Sequence, residues 1–283
     1  MSQTPTGEPE LVDLLHLGHP QVVGAWLIDD VVVDPGPSSC LDQLLPALER
    51  RPPRALALTH IHLDHAGASG SLARRFPDLE VWVHERGAPH LIDPGRLLDS
   101  AARLYGGEMQ RLWGEVLPVP AERVRALAGG EAIASFRVAY TPGHASHHVS
   151  YLHEPSGYAF TGDVAGVRIA GASVLAPTPP PDIDLPAWRA SLAEIEAWNP
   201  ARLAVTHFGA YADVSEHLAA LREQLDRAER IASDLDERSF VAMLRAQVGD
   251  VDPATRATYE QAMPVEQSFQ GLMRYLRGRQ PSA

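Results

Sequence analysis

The stretch THIHLDHAG, residues 59–67, sets His60, His62, Asp64 and His65 within six positions directly after the apolar run ALAL. Imidazole nitrogens and carboxylate oxygens without a thiolate suit Zn2+, and also Mn2+ or Fe2+. The alternate spacing lets His60 and His62 reach one ion from an extended turn, while Asp64 and His65 point to a second position. Three further apolar runs end in the same way: RVAYTPGH in His144, YAFTGD in Asp163 and RLAVTH in His207, each with a threonine within three residues before the polar residue. A polar loop explains any one of these endings but not the set. Loops after strand ends collect chemistry in layered α/β folds, so the four could converge on one edge. His144 then completes a three-histidine site, His207 joins Asp64 and His65, and Asp163 can bridge two ions. Such a pair lowers the pKa of a bridging water towards neutrality and polarises the bond it attacks. Two dications, two aspartates and one hydroxide leave about +1, a site open to neutral or anionic substrates.

The elements that must carry these residues are short. Apolar, β-branched runs at 22–28, 31–33, 54–59, 80–84, 136–141, 148–152, 158–161 and 202–206 read as strands, most of them bounded by glycine and proline turns. Between them lie helical patterns. SSCLDQLLPALERR offers serine caps and leucines at 41, 44, 45 and 48, and LPAWRASLAEIEAWN repeats the spacing at 185, 188, 192 and 195. Mixed strands and helices of this kind predict a layered α/β sandwich. A helical insertion occupies about 86–119, a proline-rich loop 176–184, and from about Asp213 the chain reads as helices broken at Pro253 and Pro264. The insertion could serve as a helix pair closing the sandwich, a lid or a homodimer contact.

Composition removes several classes of chemistry. All 24 basic residues are arginine, so no lysine nucleophile, Schiff base or P-loop is available. A net charge of −12 argues against broad contact with nucleic acid. No apolar stretch approaches the roughly 20 residues needed to cross a bilayer. The N-terminus lacks a signal pattern, and Cys40, the one cysteine, reads as a small packing residue. A cytoplasmic protein acting on a small molecule is the expectation.

THIHLDHAG, TPGHASHH, FTGD and VTHFG, in that order, resemble the metallo-β-lactamase fold superfamily, and GAWLIDDVVVDPGPSS resembles its early hairpin. The resemblance covers roughly 11–215 and leaves 216–283 as a C-terminal helical extension. It implies an αββα sandwich, two divalent ions with zinc foremost, and metal ligands at His60, His62, Asp64, His65, His144, Asp163 and His207. TPGHASHHVSY is similar to the glyoxalase II branch, and HIHLDHAG to that branch and to the lactonases. The implied reaction is attack of a metal-bridging hydroxide on a thioester, ester or lactone carbonyl, with Asp64 orienting the nucleophile or handling its proton. The alternatives are a phosphodiester hydrolase and an iron-dependent persulfide-oxidising enzyme.

Around this set, the resemblance makes Asp34 a buried carboxylate bracing the metal loop; read alone it is a turn-forming aspartate. His148 is expected to hydrogen-bond near the ions, not to ligate. His84, His90, His147, His153 and His217 read as surface or packing histidines, while His16 and His19 could line the pocket. Phe208 and Tyr211, just after His207, could stand at its mouth, with the phenol available to a developing oxyanion. Trp188 and Trp198 fall on a helical face, and Arg274, Arg277 and Arg279 read as a solvated cluster.

Overall fold

A computed structural model describes residues 7–232 and 236–278. Two six-stranded sheets face each other. The first runs in chain order through β1 (Glu10–Asp13), β2 (Gly24–Ile28), β3 (Val31–Val33), β4 (Ala55–Ala57), β5 (Glu80–His84) and β6 (Val124–Leu127). The second holds β7 (Ala132–Ile133), β8 (Phe136–Tyr140), β9 (Val149–His153), β10 (Tyr158–Phe160), β11 (Arg202–Val205) and β12 (Gly209–Tyr211). Strands β3, β4 and β5 pair in parallel, as do β10 and β11, so their C-terminal ends share an edge within each sheet.

Alternation sorts side chains between layers. Val31 and Val33, with Ala55 and Ala57, enter the inter-sheet core beside Trp26, Trp82, Phe136 and Phe160. Val32 and Leu56 point the other way, onto helix α1 (Leu41–Arg50), whose Leu44, Ala47 and Leu48 form its buried face. The serines before α1 do not cap it. Ser38 Oγ donates to the carbonyl of Gly67 and Ser39 Oγ to that of Leu112, so they tie α1 to its neighbours instead.

After β4 come the one-turn helix α2 (Leu63–Ala66) and α3 (Ser69–Arg75). The insertion between β5 and β6 contains α4 (Ala88–Ile92), α5 (Gly95–Tyr105) and α6 (Met109–Trp113). On the second sheet lies α7 (Leu185–Ala197), capped by Asp184 and burying Trp188, Leu192 and Ile195. The C-terminal helices are α8 (Val214–Ala232), α9 (Glu237–Gln247), α10 (Pro253–Ala262) and α11 (Val265–Gly278). Leu221, Phe240, Tyr259 and Leu272 from these four share one core with Trp188 and Leu203, so the extension is packed onto the second sheet. Among the described residues no helix is long and apolar enough to cross a membrane.

Candidate metal centre

The parallel strand ends bring all seven expected ligands to one point. His60 Nε2 stands 3.0 Å from His62 Nδ1, which stands 3.1 Å from His144 Nε2. Beside this trio, His65 Nε2 is 3.7 Å and His207 Nε2 is 3.5 Å from Asp64 Oδ2. Asp163 lies between the two groups. Its Oδ1 is 3.1 Å from His65 Nε2 and 3.4 Å from His207 Nε2, while its Oδ2 is 3.4 Å from His144 Nε2.

Four of the five histidines have their tautomer set from behind. Nδ1 of His65 donates to Asp34 Oδ2, that of His144 to the Pro177 carbonyl and that of His207 to the Val22 carbonyl. Thr59 Oγ1 gives its proton to Asp34 Oδ2 and is left to accept from His60 Nδ1. Each Nε2 therefore carries a lone pair aimed into the cluster, the arrangement a metal requires. His65 Nε2, His207 Nε2 and Asp163 Oδ1 are buried without a hydrogen-bond partner. Orphaned acceptors of this kind, converging from separate strands, fit divalent ions.

The electrostatics divide the cluster in the same way. Burial, followed by the neighbouring His144, pushes His62 down to about 4. Burial also holds His60 and His144 below the ordinary histidine range, so this trio stays neutral. Burial opposes charge at His65 as well, yet Asp163, Asp64 and Asp34 raise its pKa well above the usual value, and Asp163 leads the same effect at His207. Asp163 is held well below the carboxylate range by His65, His207 and His144 despite its burial. The carboxylate side of the cluster thus draws positive charge, which a proton supplies when an ion does not.

Asp34 is fully buried and accepts from Thr59 N at 2.8 Å, Thr59 Oγ1 at 2.7 Å, His65 Nδ1 at 2.8 Å and Thr206 Oγ1 at 2.9 Å. It is more than a turn residue. His148 Nδ1 bonds Thr141 Oγ1 at 3.0 Å, and its ring stacks on His60 at 5.1 Å between centroids. Gly162 lets Asp163 approach: its φ is +46°, and a Cβ there would lie 2.3 Å from Thr59 Oγ1.

A cleft of about 400 Å³ opens over His62, Asp64 and Asp163. Its walls come from α5, from the proline loop at Pro177 and Pro179–Asp182, and from Ala262–Pro264 with Gln267 and Ser268. Half-buried His90 and His147 lie in these walls, whereas His84, His153 and His217 are buried in packing. Neither His16 nor His19 lines the cleft. His16 is buried, stacked on Trp113 and bonded to the Leu112 carbonyl, and His19 is exposed.

Phe208 and Tyr211 also stand apart from the cleft: the Tyr211 phenol donates to the carbonyls of Arg168 and Phe208, and its ring lies under the Arg168 guanidinium. Trp188 and Trp198 are buried in the core, and Cys40 packs under the first sheet. Arg274 and Arg277 are exposed away from the cleft, and Arg279 lies outside the described residues. The sequence reading did not single out Arg86, Arg96, Arg103 or Tyr105, all of which line the cleft. Only the amphipathic spacing of α5 hints at the last three, and nothing in the sequence marks Arg86, which lies in the turn before α4.

Known proteins resemble this chain over the same region. Residues 22–207 match the family model described as the metallo-beta-lactamase superfamily. The metallo-beta-lactamase fold-containing protein ST1585 of Sulfurisphaera tokodaii is 30% identical over 190 residues, covering 64% of this chain and 69% of its own. A hydroxyacylglutathione hydrolase of Hamiltonella defensa is 28% identical over 159 residues, 53% of this chain and half of that enzyme's length. The crystal structure of ST1585 aligns with a TM-score of 0.69 at 22% identity, over 94% of this chain and 98% of the other, a likeness of fold. TTHA1623, solved in a di-iron-bound form, gives 0.56 at 28% identity over 70% and 93%.

Proposed function

The chain belongs to the metallo-β-lactamase superfamily, and from that premise we propose that it is a two-metal hydrolase of a thioester, ester or lactone carbonyl. His60, His62 and His144 would hold one ion and Asp64, His65 and His207 the other, with Asp163 shared. The observation that carries this reading is Asp163 itself, whose two oxygens face the two ligand groups separately. Ions bound there would supply Lewis-acid polarisation of a carbonyl and a water ionised near neutral pH.

The remaining work falls to the chain. Asp64, with 23% of its side chain exposed, lines the cleft floor, where it can orient an attacking water and take its proton. Leu63, Leu97, Ala101 and Met263 give the cleft apolar wall for an acyl group. Relatives named hydroxyacylglutathione hydrolase favour thioester chemistry. The di-iron form of TTHA1623 keeps iron beside zinc and manganese as the metal.

Elemental analysis of purified protein, joined to a screen of thioesters, esters, lactones and phosphodiesters, tests the reading. Close to two transition-metal ions per chain and acyl hydrolysis are expected. A folded protein that takes up no ion when zinc, manganese or iron is supplied would overturn it. Phosphodiester cleavage alone, or oxygen uptake with a persulfide, would redirect it to those chemistries.

A further inference from the structure

Helix α5 lays two unlike stripes along the cleft wall. Arg96 and Arg103 are seven residues apart, as are Leu97 and Leu104, with Ser100 and Ala101 between them, and all six line the cleft. Seven residues make close to two turns, about 10.5 Å along the axis, so the guanidiniums form one row and the leucines an adjacent one. Leu104 is 40% exposed, one of the few large apolar side chains left open. Several surface arginines are engaged by carboxylates, as Arg75 is by Glu49, Arg189 by Asp226 and Arg245 by Glu260, while others among the described residues, such as Arg74 and Arg274, are not. Among the described residues neither Arg96 nor Arg103 has such a partner, although the chain carries a net charge of −12.

We propose that α5 selects an amphiphilic, anionic acyl substrate, its carboxylate or phosphate held by Arg96 and Arg103 and its apolar chain laid along Leu97, Ala101 and Leu104. The proposal rests on the acyl-hydrolase reading above and names its substrate class. Guanidinium suits the task because its planar fork meets either oxyanion through paired hydrogen bonds. Apolar burial beside the charge excludes a small free anion as the preferred ligand, since such an ion would leave the leucine row uncovered. Because both arginines are exposed, water weakens each contact, and the pair together contributes a modest factor.

Titration calorimetry on the full metal-loaded chain tests this with three inert probes: S-hexyl-3-mercaptopropionate, hexyl phosphate and neutral S-hexyl-2-mercaptoethanol. Arg96→Gln with Arg103→Gln should weaken the two anionic probes about tenfold, or about 1.4 kcal/mol, and leave the neutral one nearly unchanged. Arg96→Lys with Arg103→Lys should recover part of the loss, and Leu104→Ser should weaken all three. Loss confined to the carboxylate or to the phosphate identifies which oxyanion the row prefers. Unchanged anion affinity in the glutamine variant, or equal loss for the neutral probe, would overturn the proposal. The hexanoyl thioesters of 3-mercaptopropionate and 2-mercaptoethanol separate it from the reading beneath it. Turnover of neither, with the calorimetric preference intact, would sink the hydrolase and uphold the arginine row.

Discussion

The carboxylate of Asp34 accepts the Nδ1–H of His65 at 2.8 Å, deep in the sandwich, where neither side chain is exposed. The same oxygen receives the hydroxyls of Thr59 and Thr206, so one aspartate on the turn after β3 gathers the ends of β4 and β11 and the helix α2. The bond also decides which nitrogen of His65 faces the metal centre.

Replacing Asp34 with asparagine should therefore disturb the metal before the fold. An amide brings its own N–H groups into a pocket that already holds four donors. Loss of such an orienting partner typically costs 10–100-fold in metal affinity, to be read by competition with a chromogenic chelator. Thr206→Ala removes one donor only and should cost about 1 kcal/mol of stability with little change in affinity. Equal metal affinity in Asp34→Asn would remove the aspartate from this role.

At Asp163 the expectation concerns charge. Asp163→Ala takes away the carboxylate whose oxygens face both groups of side chains and, were two ions bound there as proposed, would leave their like charges unbridged. Occupancy of the second site should fall, and hydrolysis should drop by at least about 100-fold. Two ions bound with activity retained would show that another group joins them.

Gly162→Ala probes the approach of that aspartate without touching its chemistry. The added methyl would stand 2.3 Å from Thr59 Oγ1 and 2.9 Å from His148 Nε2 at a left-handed φ. Strain and overpacking together should cost about 1–3 kcal/mol, measured by urea unfolding, and metal content should fall with it. A variant as stable as the parent would mean that the turn relaxes freely.

His217 predicts an acid-side loss of stability outside the metal centre. Its Nε2 donates to the Ala165 carbonyl, and burial, joined by the Arg168 guanidinium, pushes its pKa down to about 4. The unfolded chain takes up this proton near pH 6.5, while the folded chain resists it until about pH 4. The contribution is therefore complete above pH 6.5 and drains away as pH falls towards 4, by about 3 kcal/mol in all. His217→Gln should flatten that slope in metal-free protein, as read from urea midpoints across the range. An unaltered slope would assign the acid sensitivity to other groups.

The sequence was most legible where burial is complete. The runs at 31–33, 80–84 and 158–161 are central strands apolar on both faces, and they appear as β3, β5 and β10. Strands β1, β6, β7 and β12 escape the sequence pattern, because they are the four sheet edges, β7 is only two residues long, and residues such as Glu10 and Arg125 dilute the apolar signal. The convergence of His60, His62, Asp64, His65, His144, Asp163 and His207 is readable because the stretches carrying them all follow largely apolar strands, β4, β8, β10 and β11. The cleft walls were not. Arg96 and Arg103 look like any exposed helix residues until the fold turns α5 over the metal centre. Two of the four threonines at these strand ends have a physical role that the sequence does not show: Thr59 and Thr206 supply the two hydroxyls that Asp34 accepts.

The cleft is assembled from stretches far apart in the chain: α5, the proline loop and the junction of α10 with α11. Gln261 on α10 fastens this junction to the backbone and ring of His16, and His16 in turn holds the Leu112 carbonyl of the insertion. A molecule lodged between these walls touches all of them at once and acts as a staple. Its binding free energy is then unavailable to any motion that parts the insertion from the C-terminal helices, and each tenfold excess of ligand over its Kd adds about 1.4 kcal/mol to the cost of that parting. Occupancy of the cleft should accordingly slow proteolysis in α5 and in α10–α11 together, at sites separated by more than a hundred residues of sequence.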